Sequence, residues 1–417
     1  AKVARAAATE SMVLLKNDND VLPMKDVKKI ALFGVSSVDF VAGGTGSGNV
    51  NKAYVVSLTE GFENAGFELD KTLKNYYEKY VEFDKAANGT AGGLLGNRKV
   101  PEAALTRAYV DARVAQNDMA VVVIGRNSGE GAARRVDSDF NLSAAESQLI
   151  NDVCNAFHLA GKKVVVVLNI GGVIETNSWK YLPDGILLAW QPGQEGGDAV
   201  ADVLTGKVNP SGKLPMTFSN TYMEIPSSMN FPKGDEQNMR NNRGWGAATP
   251  AKVKNLDYTE YTEDIWVGYR YFVTKNKAVS FPFGFGLSYT EFAYSKPVVK
   301  AANGGFTASV TVTNTGKVAG KEVVEVFVAA PAGNLEKPAR ELKAFAKTKL
   351  LAPGESQTLT FNVSAYELAS FNQDKNIWET AAGEYVVYFA KNALCTSTNA
   401  KVNLKAATFA VSDAYVK

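Results

Sequence analysis

Residues 1–226 alternate between two hydrophobic periods. Helical spacing of apolar positions predicts helices over 3–15, 58–65, 105–116, 143–159 and 195–204. Between them lie short runs dominated by apolar residues: 29–34 (KIALFG), 119–125 (MAVVVIG), 163–170 (KVVVVLNI) and 185–190 (GILLAW). Continuous apolar runs of this length mark strands covered on both faces. The expected fold is therefore α/β, a mainly parallel open sheet clothed by helices. Ser143 with Glu146 three residues on is a capping box at the start of one helix.

Beyond residue 221 the periods disappear. Residues 222–281 are rich in Pro, Asn, Gly and aromatics, as in 238–246 (NMRNNRGWG), and read as an irregular connector. Its aromatics, among them Trp245, Tyr258, Tyr261, Trp266, Tyr269, Tyr271 and Phe272, can stack on sugars or bury the segment against its neighbours. After Phe281 the runs 307–314 (TASVTVTN), 322–329, 356–363 and 383–389 alternate or are β-rich. Turn signals separate them, such as Pro353-Gly354. That spacing predicts an all-β sandwich of immunoglobulin or fibronectin III type. The expected division is an α/β sandwich domain over 1–221, the connector over 222–281 and a β-sandwich domain over 282–417.

Composition narrows the chemistry. With 46% hydrophobic and 21% charged residues, each domain can bury a core. Lys plus Arg number 45 against 43 acidic residues, a formal net charge of +2, so no basic surplus speaks for nucleic acid. The longest apolar runs fall far short of the roughly 20 residues that span a bilayer, and a soluble protein is expected. No basic-then-apolar leader is visible at Ala1, which leaves the compartment open with a lean to the cytoplasm. One histidine and two cysteines make zinc sites and Ser-His-Asp or Cys-His machinery depend on His158, Cys154 or Cys395. His158 lies near the end of a predicted helix and reads as a surface or capping residue, and the cysteines read as free thiols. No metal or cofactor is expected. Any catalysis falls to carboxylates.

Two loops stand out. Arg126-Asn127-Ser128-Gly129-Glu130-Gly131 directly follows the strand 119–125, where open α/β sheets bind ligands. Glu130 there can act as a general acid if burial or a neighbouring carboxylate raises its pKa, or can be a solvated loop residue. Gly43-Gly44-Thr45-Gly46-Ser47-Gly48-Asn49 follows the strand 29–34 at a distance too great for a dinucleotide turn, and it lacks the Lys-Ser/Thr pair of a phosphate loop. It reads as a loop that approaches a ligand or another segment closely, or as plain surface. Residues 193–197 (GQEGG) precede a helix and allow either an anion site or a tight structural entry.

Together these blocks resemble glycoside hydrolase family 3, the β-glucosidase and β-xylosidase family. The resemblance is carried by 10–22 (ESMVLLKNDNDVL), 43–50 (GGTGSGNV), 128–131 (SGEG), 191–218, Tyr269-Arg270-Tyr271, 282–289 (PFGFGLSY), 310–320 (VTVTNTGKVAG), 341–349 and 369–371. It implies an α/β sandwich domain followed by a fibronectin III-like domain. It also implies that Glu130 is the acid/base of a retaining hydrolase of terminal non-reducing β-D-glucosyl residues. Arg126, Ser128, Ser47 and Asn49 are assigned to substrate binding. The nucleophile in this family is an aspartate on a (β/α)8 barrel, usually followed by Trp. No Asp-Trp pair occurs here, and the family barrel's lysine-histidine sugar-binding pair is also missing, the only His being followed by Leu159, so a separate barrel segment or chain is the expected partner. Without it the chain is expected to be inactive. Xyloside preference, a non-catalytic carbohydrate-binding module and homo-oligomerisation are left open. Where many relatives place an acidic residue after SGEG, this chain has Ala132-Ala133-Arg134-Arg135, which leaves the pH optimum open.

Overall fold

The computed structural model describes residues 1–90, 98–128, 136–229 and 261–411. They divide into two compact units, Ala1–Lys213 with Gly286–Tyr289, and Leu214–Phe285 with Thr290–Lys417.

The first unit is built on a six-stranded sheet: β1 (Val13–Asn17), β2 (Lys29–Phe33), β3 (Glu68–Leu69), β4 (Met119–Arg126), β5 (Lys163–Ile170) and β6 (Gly185–Leu188), in spatial order β1-β6-β5-β4-β2-β3. All pairings are parallel except β1 with β6. Every residue of β4 is buried, as are seven of the eight in β5, as unbroken apolar runs require. On one face α1 (Lys2–Ser11), α2 (Leu58–Asn64) and α6 (Gly196–Leu204) share a core with Leu32, Val121, Val123, Val165 and Val167. On the other, α5 (Ala144–Leu159) sets Phe157 edge-on to Phe33 at 6.3 Å, alongside α3 (Lys71–Asn88) and α4 (Arg107–Val114). Each such fully buried side chain contributes roughly 1.5–3 kcal/mol. The sheet is thus a stiff base for the loops at its carboxyl edge.

The helix expected over 3–15 stops at Ser11. Met12 turns extended, and 13–17 become a strand because the open edge of β6 accepts them, Val13 opposite Leu188. The Ser143–Glu146 capping box forms as expected. Residues 286–289 pack back on this unit: Leu287 bridges Leu14, and the Tyr289 hydroxyl donates to the Val203 carbonyl at 2.9 Å.

The second unit has two antiparallel sheets enclosing one core. One sheet orders β11 (Glu341–Lys347), β10 (Val323–Ala329), β15 (Gly383–Ala390) and β16 (Thr396–Leu404); the other orders β12 (Ser356–Val363), β9 (Gly305–Asn314) and β7 (Phe292–Tyr294), with β8 (Val298–Ala302) also on β9. Alternation decides which residues point inward: Phe306, Val310 and Val312 of β9 meet Val324, Val326, Val387 and Phe389. A third sheet joins β13 (Ser370–Asn372), β14 (Ile377–Thr380) and β17 (Ala407–Ala410). Within the connector a short helix, α7 (Tyr269–Thr274), buries Tyr269 against Phe283 and Phe327 and so takes the structural role. Trp245 and Tyr258 lie outside the described residues.

Candidate active site

In the first unit the chain leaves β2 for β3 on one side, while β4 lies on the other. The gap between β2 and β4 is therefore the switch point at which α/β sheets open a crevice beyond their carboxyl ends. The loops after β2 and β4 are the two singled out above, and the fold brings them together. Thr45 N donates to the Ser128 carbonyl at 3.0 Å. Gly44 is required at this contact, since a Cβ there would lie 2.6 Å from the same carbonyl oxygen. The Ser128 hydroxyl donates to Gln191 Oε1 at 3.4 Å, and Gln191 Nε2 donates to the Arg126 carbonyl at 3.4 Å. Ser128 is thus held between the glycine loop and the segment after β6.

That segment is laced to the glycine loop as well. Gly193 N donates to the Ala42 carbonyl at 2.8 Å, Val56 N to Gln194 O at 2.8 Å and Gly197 N to Val56 O at 3.0 Å, and the Tyr54 hydroxyl donates to Glu195. The Val56 and Ser57 carbonyls fill the space a Gly197 Cβ would take, and Phe40 that of a Gly196 Cβ, so these glycines serve a tight structural entry to α6. Ser47 and Asn49 are exposed on the short turn Gly46–Gly48 and its end, and Asn49 Oδ1 accepts from Lys52 Nζ at 3.3 Å.

Arg126 points the other way, into the protein. It is 6% exposed, with two donors on Glu146 at 2.5 and 2.7 Å and others on the carbonyls of Gly125, Asp139 and Asn141. One guanidinium thereby ties the end of β4 to the π-helical turn at Val136–Phe140 and the start of α5. Burial pushes the Glu146 carboxyl up, but the Arg126 hydrogen bonds and charge, with Lys99 beside them, prevail and hold it at about 2. Lys99 donates to the Gly125 carbonyl and lies 3.5 Å from Glu146. Burial and the Arg126 charge lower its pKa. Nearby, burial raises Glu102 to about 7, although its carboxylate accepts from Val35 N and Ala103 N at 3.0 Å each. In the sequence Glu146 signals only a helix cap, and Lys99 and Glu102 lie in a stretch with no periodic signal.

Over these groups opens a cavity of about 210 Å³ lined by Ser36, Asp39, Gly43, Asn49, Lys99 and Asn127. It is smaller than the roughly 300–1,000 Å³ of a complete small-molecule site. Glu130 itself lies outside the described residues. His158 sits at the end of α5, its Nε2 2.8 Å from Asp184 Oδ2 and far from this crevice in the fold, at the opposite end of β5.

Residues 12–289 match the Glycosyl hydrolase family 3 C-terminal domain, and 322–393 a Fibronectin type III-like domain. The chain belongs to glycoside hydrolase family 3. Among its relatives, Beta-glucosidase A of Butyrivibrio fibrisolvens is 38% identical over 91% of this chain and 48% of its own length. A Beta-glucosidase of Ruminococcus albus is 36% identical over 91% of this chain and 38% of its own. The solved structure of beta-glucosidase 3B from Thermotoga neapolitana in complex with glucose superposes with a TM-score of 0.89 and 40% identity, over 98% of this chain and 55% of that one. The chain spans about half the length or less of the curated relatives it matches.

Proposed function

We propose that this chain carries the acid/base of a retaining β-glucosidase, Glu130, and that a (β/α)8 barrel segment or chain brings the nucleophilic carboxylate. The observation that supports this most is the convergence of Gly44, Thr45 and Gln191 on Ser128 at the sheet's switch point. Ser128 precedes Glu130 by two residues, a reach of about 7 Å of extended chain. In the proposed reaction the glycosidic C1–O bond breaks as the partner carboxylate attacks C1 and the Glu130 carboxyl protonates the leaving oxygen. Glu130, now a carboxylate, then takes a proton from the water that cleaves the glycosyl ester, and the β configuration is retained. The two carboxyl groups must stand about 5–5.5 Å apart.

Ser47, Asn49 and Ser128 present hydroxyl and amide groups suited to sugar hydroxyls. Arg126 contributes through the loop it clamps, as a positioning residue. The substrate class is terminal non-reducing β-D-glucosyl residues, including those of oligosaccharides from cellulose. On its own, with one of the two carboxylates, the chain is inactive. The test is turnover of aryl β-glucoside and aryl β-xyloside by purified chain with and without a barrel polypeptide. Activity only with the barrel, larger on the glucoside, is the expected result. Sugar binding that the barrel leaves unchanged, with no turnover, would make the chain a non-catalytic module instead.

A further inference from the structure

The second unit contains a groove that the catalytic reading does not use. The register of the third sheet sets Phe371 opposite Trp378 and Trp378 opposite Phe409, a row of aromatic side chains across three adjacent strands on one face. The Phe371 and Trp378 rings lie 5.3 Å apart, inclined by 53°, and Tyr366 buttresses the row edge-on against Trp378 and Phe409. Phe371 is 38% exposed and Trp378 half-buried, and both side chains line the groove. The groove encloses about 530 Å³, within the range of sites that hold a ligand. Its walls bring Asp264 and Arg270 from the connector, Glu341 from β11 and Gln373 from the turn after β13. Arg270 Nε stands 3.4 Å from Glu341 Oε1, and both side chains are part-exposed, which places a donor fork and a carboxylate side by side.

We infer that this groove is a second carbohydrate site that holds a β-linked glucan chain. Flat, all-equatorial β-glucopyranose rings turn C–H faces to the aromatic row and hydroxyls to Arg270, Glu341, Asp264 and Gln373. Stacking of this kind takes an apolar body and a wet edge together. The walls carry more carboxylates than guanidinium groups, since Glu336 and Asp374 also line them. That balance disfavours anionic polymers and suits an uncharged polyol. The inference stands on the second unit alone and holds whether or not Glu130 is the acid/base.

The test titrates the chain with cellopentaose, and with maltopentaose as the α-linked comparison, following tryptophan fluorescence and heat. Cellopentaose is expected to bind in preference to maltopentaose. Phe371→Ala should weaken it about tenfold or more with an unchanged unfolding midpoint, Phe371→Trp should retain it, and Glu130→Gln should leave it within about twofold. Trp378→Ala removes more of the sheet's packing, and Gln373→Ala gives a second arm that spares the fold. Equal binding by wild type and both Phe371→Ala and Gln373→Ala would overturn the inference. So would cellopentaose binding lost in Glu130→Gln alone, which assigns it to the crevice. An oligomer that dissociates on Phe371→Ala, with no glucan effect, would give the face to a second copy of the chain and overturn it too.

Discussion

Replacing Glu146 by Gln should change the stability of the first unit in a defined pH window. The carboxylate is buried, bonded twice by Arg126 and approached by Lys99. Although burial alone would raise it, these cations hold it at about 2, against an ordinary 4.5. A carboxyl whose folded pKa is depressed contributes stability that is complete above the unfolded value. That contribution is lost as the pH falls through the folded one. The window is therefore pH 4.5 to about 2, and the interval corresponds to about 3 kcal/mol. Removing one partner of a buried ion pair, an independent route to the same quantity, costs about 3–5 kcal/mol. Glu102 acts with the opposite sign: burial raises it to about 7, so its contribution is present below 4.5 and lost as the pH rises through about 7. The assay is urea unfolding of wild type, Glu146→Gln and Glu102→Gln between pH 2 and 8. The gap between wild type and Glu146→Gln should be about 3 kcal/mol at pH 6 and close as the pH approaches 2. Glu102→Gln should flatten the fall between pH 5 and 8. A Glu146→Gln curve that parallels wild type across the acid window would refute the role given to the Arg126 clamp.

Gly44→Ala places a Cβ 2.6 Å from the Ser128 carbonyl oxygen, a backbone atom, so the two loops must separate. In the enzyme assembled with its barrel, kcat/KM should fall about 10²-fold with an unchanged unfolding midpoint, and unaltered activity would contradict the docked-loop arrangement. Cys154 is buried, and desolvation raises its thiol to about 12, whereas Cys395 is exposed. Iodoacetamide should add one label to the native chain, at Cys395, and a second only after denaturation, both read by peptide mass spectrometry.

The fold class was readable because β2, β4, β5 and β6 are built on near-continuous apolar runs and the facing strands of the second unit are β-rich or alternate. Both patterns follow directly from how many faces a strand buries. The missed elements have physical reasons. α3 buries only Leu73, Tyr77, Val81 and Asp84 along 18 residues, a stripe too narrow to stand out among its charges. β1 has helix-compatible spacing and owes its extended form to the edge of β6. The strands of the third sheet are three or four residues long and gain definition only from one another. At the candidate site, the sequence showed that two loops follow two strands; that they share hydrogen bonds through Ser128 depends on the order of β2 and β4 in the sheet. Arg126 stood in the substrate-binding set because of its place in the motif. The folded chain turns it inward because Glu146, twenty residues away, offers a buried carboxylate at α5.

The proposed role of Glu130 is tested most directly by the product that Glu130→Ala forms in azide, using the chain together with its barrel. The variant should lose about 10²–10⁴-fold on cellobiose, whose leaving group needs a proton, and far less on an activated aryl β-glucoside. Azide should accelerate the aryl substrate and yield β-glucosyl azide, identified by NMR. Equal losses on both substrates with no azide product, or an azide of α configuration, would contradict acid/base catalysis by Glu130 in a retaining reaction.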